Sequence, residues 1–119
     1  MAKKIEDKLV ATLESVSGLK GKIYPLFLPK GVTLPACVYR IDGPREADSL
    51  GGWLGNYEAD AELAVLCGSY KAVKELAGQT SEKLKGIRYA AVEIDEDAPE
   101  EYEEEIDAYS KIIKLNMMY

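Results

Sequence analysis

Between Tyr57 and Ile94 the apolar spacing changes from every second residue to helical and back, which restricts the chain to folds built on a strand, helix, strand unit. In YEADAELAVLC, Tyr57, Ala59, Ala61, Leu63, Val65 and Cys67 fall on one side, while Glu58, Asp60 and Glu62 fall on the other. That is the period of a half-buried strand. After Val65 the second side turns apolar as well, so the strand is expected to run into the middle of a sheet. Gly68-Ser69 closes it, and the Ser69 hydroxyl is suited to accept from the free amides of a following helix. In that helix Val73, Leu76, Ala77, Thr80 and Leu84 share an arc of about 100°, while Lys71, Lys74, Glu75, Glu82, Lys83 and Lys85 occupy the rest. Gly78 inside the helix costs about 1 kcal/mol relative to Ala and predicts a close contact or a kink. Gly86 fits the position after the last turn, and Ile87 to Ile94 resumes a β-rich run.

Upstream, Ile5, Leu9, Leu13 and Val16 lie within about 80° of helical arc, so Lys3 to Ser17 reads as a helix that covers the sheet. Gly18 suits the left-handed position beyond it. Lys22 to Pro29 is apolar and extended, but Pro25 and Pro29 remove ladder donors and assign it to an edge. Lys30 to Thr33 makes a turn, and Leu34 to Ile41 is a second strand with Pro35 tolerated at its start. Asp42 to Asn56 holds four glycines, one proline and the only Trp, and reads as a long mobile hairpin connection. Its glycines have neither GxGxxG nor GxxxxGK order, which argues against nucleotide binding. Leu50, Trp53 and Leu54 in this loop either fold back or dock on a partner. Ile106 to Tyr119 closes the chain as a long strand. Tyr109, Lys111, Ile113, Leu115, Met117 and Tyr119 lie on one side, and Ser110, Ile112, Lys114, Asn116 and Met118 on the other. Neither side is cleanly polar, as expected of a strand covered on one face by its own helices and on the other by a neighbouring subunit.

With no His, the chain lacks Ser-His triads, Cys-His pairs and HExxH zinc sites. Only Asp, Glu, Lys and Tyr remain for proton transfer, so an enzyme is the least favoured reading, and no catalytic residue, metal or cofactor is expected. Cys37 and Cys67 each sit inside an expected strand without CxxC spacing and read as buried free thiols. Residues 1–119, 47% of them hydrophobic, suffice for one domain with its own core. There is no apolar run near the length of a membrane span, no signal peptide and no lipidation motif, so a soluble cytoplasmic protein is expected.

The net charge is −6, yet Glu93 to Asp107 alone holds ten acids and no Lys or Arg, leaving the rest of the chain four positive. The segment reads as a solvated loop turning at Ala98-Pro99. It lacks the DxDxDG calcium pattern, and nothing in it separates two carboxylates into acid and base. So acidic a surface offers phosphate no counterion-releasing partner.

Ile23-Tyr24-Pro25-Leu26, Pro29, Gly31, Leu34-Pro35 and Tyr39 come first. A Gly-bearing loop around Ser49 to Gly52, an alternating strand ending near Cys67 and a helix start at Ser69-Tyr70 follow, and a strand after an acidic loop bearing Glu101-Tyr102 closes the chain. In this order the sequence resembles the small tail-completion proteins of long-tailed phages and prophages, related in fold to the tail terminators of lambda-like phages. The order of elements matches over nearly the whole chain, through structural rather than catalytic motifs. The resemblance implies an α+β fold, with a mixed or antiparallel sheet of about five strands and two helices packed on one face. It also implies a homo-oligomeric ring, typically of six subunits, in the virion tail. Such a ring is assembled in the bacterial cytoplasm, caps the head-proximal end of the tail tube and joins it to the head connector. The partners implied are the tail-tube protein and the head-connector protein, with DNA passing through unbound and no membrane involved. The loop from Gly43 to Asn56 would contact neighbouring subunits or the tube.

A closed ring needs two different patches that meet. Leu50, Trp53 and Leu54 are candidates for one, and Ile112, Lys114 and Met118 for the other. Glu96, Asp97, Glu100, Glu101, Glu103 and Glu104 are candidates for a negative lumen wall. The acidic loop is denser than the family pattern. The alternative function is a small oligomeric α+β ligand-binding or regulatory domain.

Overall fold

The computed structural model describes residues 2–46 and 57–119. Helix α1 (Ala2–Glu14) is followed by β1 (Ile23–Pro25), β2 (Ala36–Glu46), β3 (Tyr57–Cys67) and α2 (Tyr70–Lys85). Then come β4 (Ala91–Asp95), β5 (Glu101–Glu103), a 3-10 turn (Glu104–Ile106) and β6 (Ala108–Met118). The fold is α+β. Among the described residues six strands form one mixed sheet in the order β1-β2-β3-β6-β4, with β5 also pairing β6. β1 runs parallel to β2 and every other pairing is antiparallel.

The alternation in Tyr57 to Cys67 places Ala59, Ala61, Leu63, Val65 and Cys67 in the core. β3 lies between β2 and β6, so the expected central strand is found. Tyr57 departs from the pattern: it is exposed at the strand end and packs beside Tyr119, ring centroids 5.9 Å apart. Both helices bury the predicted stripes, Ile5, Leu9 and Leu13 from α1, and Val73, Leu76, Ala77, Thr80 and Leu84 from α2. Burying each of the Ile, Leu and Val side chains among them stabilises by about 1.5–3 kcal/mol. Thr80 is tolerated in the core because its hydroxyl donates to the Leu76 carbonyl at 2.8 Å. Ser69 caps α2 as expected, its hydroxyl accepting from the Ala72 amide at 3.1 Å.

Several boundaries differ from those expected. α1 ends at Glu14 rather than Ser17, though Val16 stays buried through a turn and Gly18 adopts φ +97. Among the described residues a Cβ at Gly78 would meet nothing within 4 Å, and α2 continues through it. The β run expected from Ile87 begins only at Ala91, because Tyr89 turns toward α1, where its hydroxyl lies 2.8 Å from Thr12 Oγ1. β6 starts at Ala108, with Ile106 in the preceding turn. The acidic run is not a single loop. Glu93 and Asp95 lie in β4, Glu101 and Glu103 in β5, and Glu104 and Glu105 in the turn.

β2 does not stop at Ile41 but continues to Glu46 through a bulge. Asp42 pairs with Asp60 and Arg45 with Glu58, so Gly43 and Pro44 together oppose Ala59. Gly43 takes φ +110, and a Cβ there would come within 3.1 Å of the Glu58 carbonyl oxygen. Only glycine fits that approach without strain.

Candidate assembly surface

α1 packs over β1 and β2, and α2 over β3, β6 and β4, all on one face of the sheet. The other face is built from the alternate positions of the same strands. The register aligns Ala36, Leu66 and Ser110 in one row, which is buried. Val38, Ala64 and Ile112 follow in a half-buried row, then Arg40, Glu62, Lys114 and Asp95. Asp42, Asp60, Asn116 and Glu93 come next, and Glu58, Met118 and Ala91 end the face. This face is apolar at one end and charged at the other.

The bulge at Gly43-Pro44 shifts the side-chain alternation by one, which brings Arg45 onto this charged end. Its guanidinium lies 2.7 Å from Asp60 Oδ2 and 3.5 Å from Glu58 Oε1. From the opposite side the Asn116 amide donates to Asp60 Oδ1 at 2.8 Å and to Glu58 Oε2 at 2.7 Å. Donation from Asn116 and Arg45 holds the Asp60 carboxyl below its ordinary value of 3.8. Lys114 stands opposite Glu62 and Asp95 on the two neighbouring strands. A hollow of about 260 Å³ opens here, lined by Arg40, Asp42, Asp60, Glu62 and Lys114.

Of the expected interface residues, Ile112, Lys114 and Met118 do share this face, with Ile112 and Met118 half-buried and Lys114 exposed. Leu50, Trp53 and Leu54 lie outside the described residues, as does most of the Gly43 to Asn56 loop. The six acids expected to line a lumen are not equivalent. Lys85 Nζ lies 3.4 Å from Glu96 Oε2, and Ser110 donates to Glu103 at 3.0 Å. Asp97, Glu101 and Glu104 are exposed and Glu100 is half-buried.

Sequence reasoning passed over Lys111, a charge on the helix-covered side of β6. The residue is buried, and its ammonium donates to the Glu96 carbonyl at 2.5 Å and to the Ala98 carbonyl. Those bonds hold the β4–β5 connection against the sheet, so the acidic segment hangs from a cation it does not itself contain. The available signal was a lysine alternating in phase with Ile113, Leu115 and Met117.

Both cysteines are free and buried, and burial pushes the Cys37 thiol to about 12 and the Cys67 thiol to about 11. Among the described residues no group of three or more Asp, Glu or Cys converges as a metal site. A second hollow, about 320 Å³, lies where the end of α1 meets the start of α2, lined by Leu34, Pro35, Cys67, Ala72, Leu76 and Gln79. No helix among the described residues is long and apolar enough to cross a membrane. Compared with protein-family models the chain matches none, and it matches no curated protein.

Proposed function

We propose that this protein is a phage or prophage structural protein that closes the head-proximal end of a tail tube as a ring, typically of six subunits, and joins it to the head connector. The observation that carries the reading is the sheet face on which no helix packs among the described residues, where Ile112 and Met118 are half-buried and Lys114 between them is exposed. An extended face of this kind suits contact with another protein better than capture of a small molecule. The element order expected of tail-completion proteins supports the same assignment. Asp97, exposed in the connection between β4 and β5, is the acid proposed to face a lumen. A negative wall there lets DNA pass without a binding partner.

The test is polymerisation of the matching tail-tube protein with and without this protein, followed by electron microscopy. Expected are tubes carrying one additional ring at a single end, and arrested growth from that end. Tubes that elongate unchanged and bare would overturn the proposal. The second reading, a ligand-binding or regulatory domain, draws on the hollow beside Cys67, whose 320 Å³ lies at the small end of ligand-site volumes. A metabolite that raises the melting temperature in proportion to its concentration would favour it.

A further inference from the structure

The two outer edges of the sheet carry opposite charge. From Ser15 to Ile41 the chain has no Asp or Glu but contains Lys20, Lys22, Lys30 and Arg40, and this stretch includes the β1 edge. The far edge is formed by β4, β5 and the turn, within the Glu93 to Asp107 segment that holds ten acids and no Lys or Arg. Each edge also exposes large apolar groups, Leu26 at 69% and Phe27 at 70% on one, Tyr102 at 50% and Ile106 at 45% on the other.

The strand register sets these features level with one another. The Leu26 amide donates to the Tyr39 carbonyl, and Tyr39 aligns with Leu63 and Ile113, one residue from the Lys114–Asp95 pair. Ile23 aligns with Cys37, Val65 and Lys111, one residue from the Ser110–Glu101 pair. A copy displaced sideways across the strands, without sliding along them, therefore sets the basic edge against the acidic one. The Leu26–Phe27 tip is held out by a tight turn in which the Phe27 amide donates to the Pro25 carbonyl at 2.8 Å and Leu26 takes φ +70. A non-glycine residue held in that region is strained. Neither edge suits strand addition, since β1 is three residues long with Pro25 in it, and β4 points Glu93 and Asp95 into solvent.

We infer that copies of this chain associate head to tail through side chains, with the Lys20, Leu26, Phe27 and Lys30 edge of one against the Glu101, Tyr102, Glu104 and Ile106 edge of the next. The occupant is a second copy because the complement of each edge is the other edge of the same molecule, whereas pairing like edges opposes like charges. A contact of this heterologous kind closes into rings or runs on as filaments. The inference rests on the reading of the protein as a self-assembling subunit and names the surfaces that meet.

The test uses two charge-reversed proteins, Lys20→Glu with Lys30→Glu, and Glu101→Lys with Glu104→Lys, compared with wild type by sedimentation velocity at low salt. Lys22 is left alone because it is engaged with Thr33. Near-ultraviolet circular dichroism checks that each variant keeps its fold, and Phe27→Ser is the uncharged alternative where a reversal does not. Each reversal alone is expected to weaken self-association about tenfold or more, as like charges then face each other. An equimolar mixture is expected to restore it, because alternating copies again meet acid to base. Wild-type-like assembly by every folded variant would overturn the edge contact while leaving the ring reading in place. A wild-type protein that stays monomeric at high concentration, with no zero-length cross-links between the two edges, would likewise overturn the edge contact, whereas the ring reading falls only if tube ends stay bare.

Discussion

At the scale of single residues, Gly78 and the two cysteines separate what packing demands from what the chain merely tolerates. Gly78 was expected to mark a close approach, yet among the described residues nothing lies where its Cβ would go and the residue is exposed in a continuous helix. Its backbone freedom therefore weakens α2 without a compensating contact. Gly78→Ala is expected to raise the unfolding free energy by about 0.5–1 kcal/mol in urea denaturation. A loss of stability instead would place a contact at that position. Cys37 and Cys67 lie in the core with their thiols pushed to about 12 and 11 by burial, so almost no thiolate exists at neutral pH. Iodoacetamide at pH 8 is expected to leave the native protein unlabelled and to modify both thiols in denaturant, as read by intact mass. Rapid native labelling of either residue would contradict its burial.

At the scale of elements, the Arg45–Asp60–Asn116 cluster ties β2, β3 and β6 together at the charged end of the open face. Because Asp60 titrates below 3.8 in the folded protein, its contribution to stability is complete above that value and fades as the pH falls through the folded value. The stability difference between wild type and Asp60→Asn, followed by urea denaturation from pH 6 to pH 2.5, is expected to shrink below about pH 4. A difference that stays constant across that range would mean the carboxylate is not engaged. The cluster also marks a limit of sequence reading. Burial stripes in α1, α2 and β3 were legible because each element follows one period, and the side of Ile112, Lys114 and Met118 was legible for the same reason. The bulge at Gly43-Pro44 was not, since a glycine-proline pair reads as a turn, and so the arrival of Arg45 beside Asp60 went unseen. β1 was legible as an edge but its parallel pairing was not, because three residues carry no register. β5 was hidden because acids dominate Glu101 to Glu103, and the interaction that holds the acidic segment in place comes from Lys111 on a distant strand.

At the scale of the whole molecule, a sheet with helices on one face has two kinds of interior-like surface, and adjacent residues of β6 distinguish them. Ile113 is fully buried beneath the helices, while Ile112, one step along the same strand, is half-buried on the face without helices. Truncating Ile113 leaves a cavity among Leu63 and its neighbours and is expected to cost about 2–5 kcal/mol. Ile112 already meets water, so Ile112→Ala is expected to cost the isolated chain about 1 kcal/mol or less. If the open face is where other subunits or the tube are received, the same change weakens assembly, because desolvation of that side chain is completed only by the partner. Paired measurements on each variant, urea denaturation of the monomer and ring formation at tube ends by electron microscopy, therefore carry opposite expectations. Ile113→Ala lowers stability strongly and assembly only in proportion to the unfolded fraction, while Ile112→Ala leaves stability nearly intact and reduces ring occupancy several-fold. Equal losses of stability in the two variants would mean that the second face is already closed within one chain, and assembly would then fall to the sheet edges.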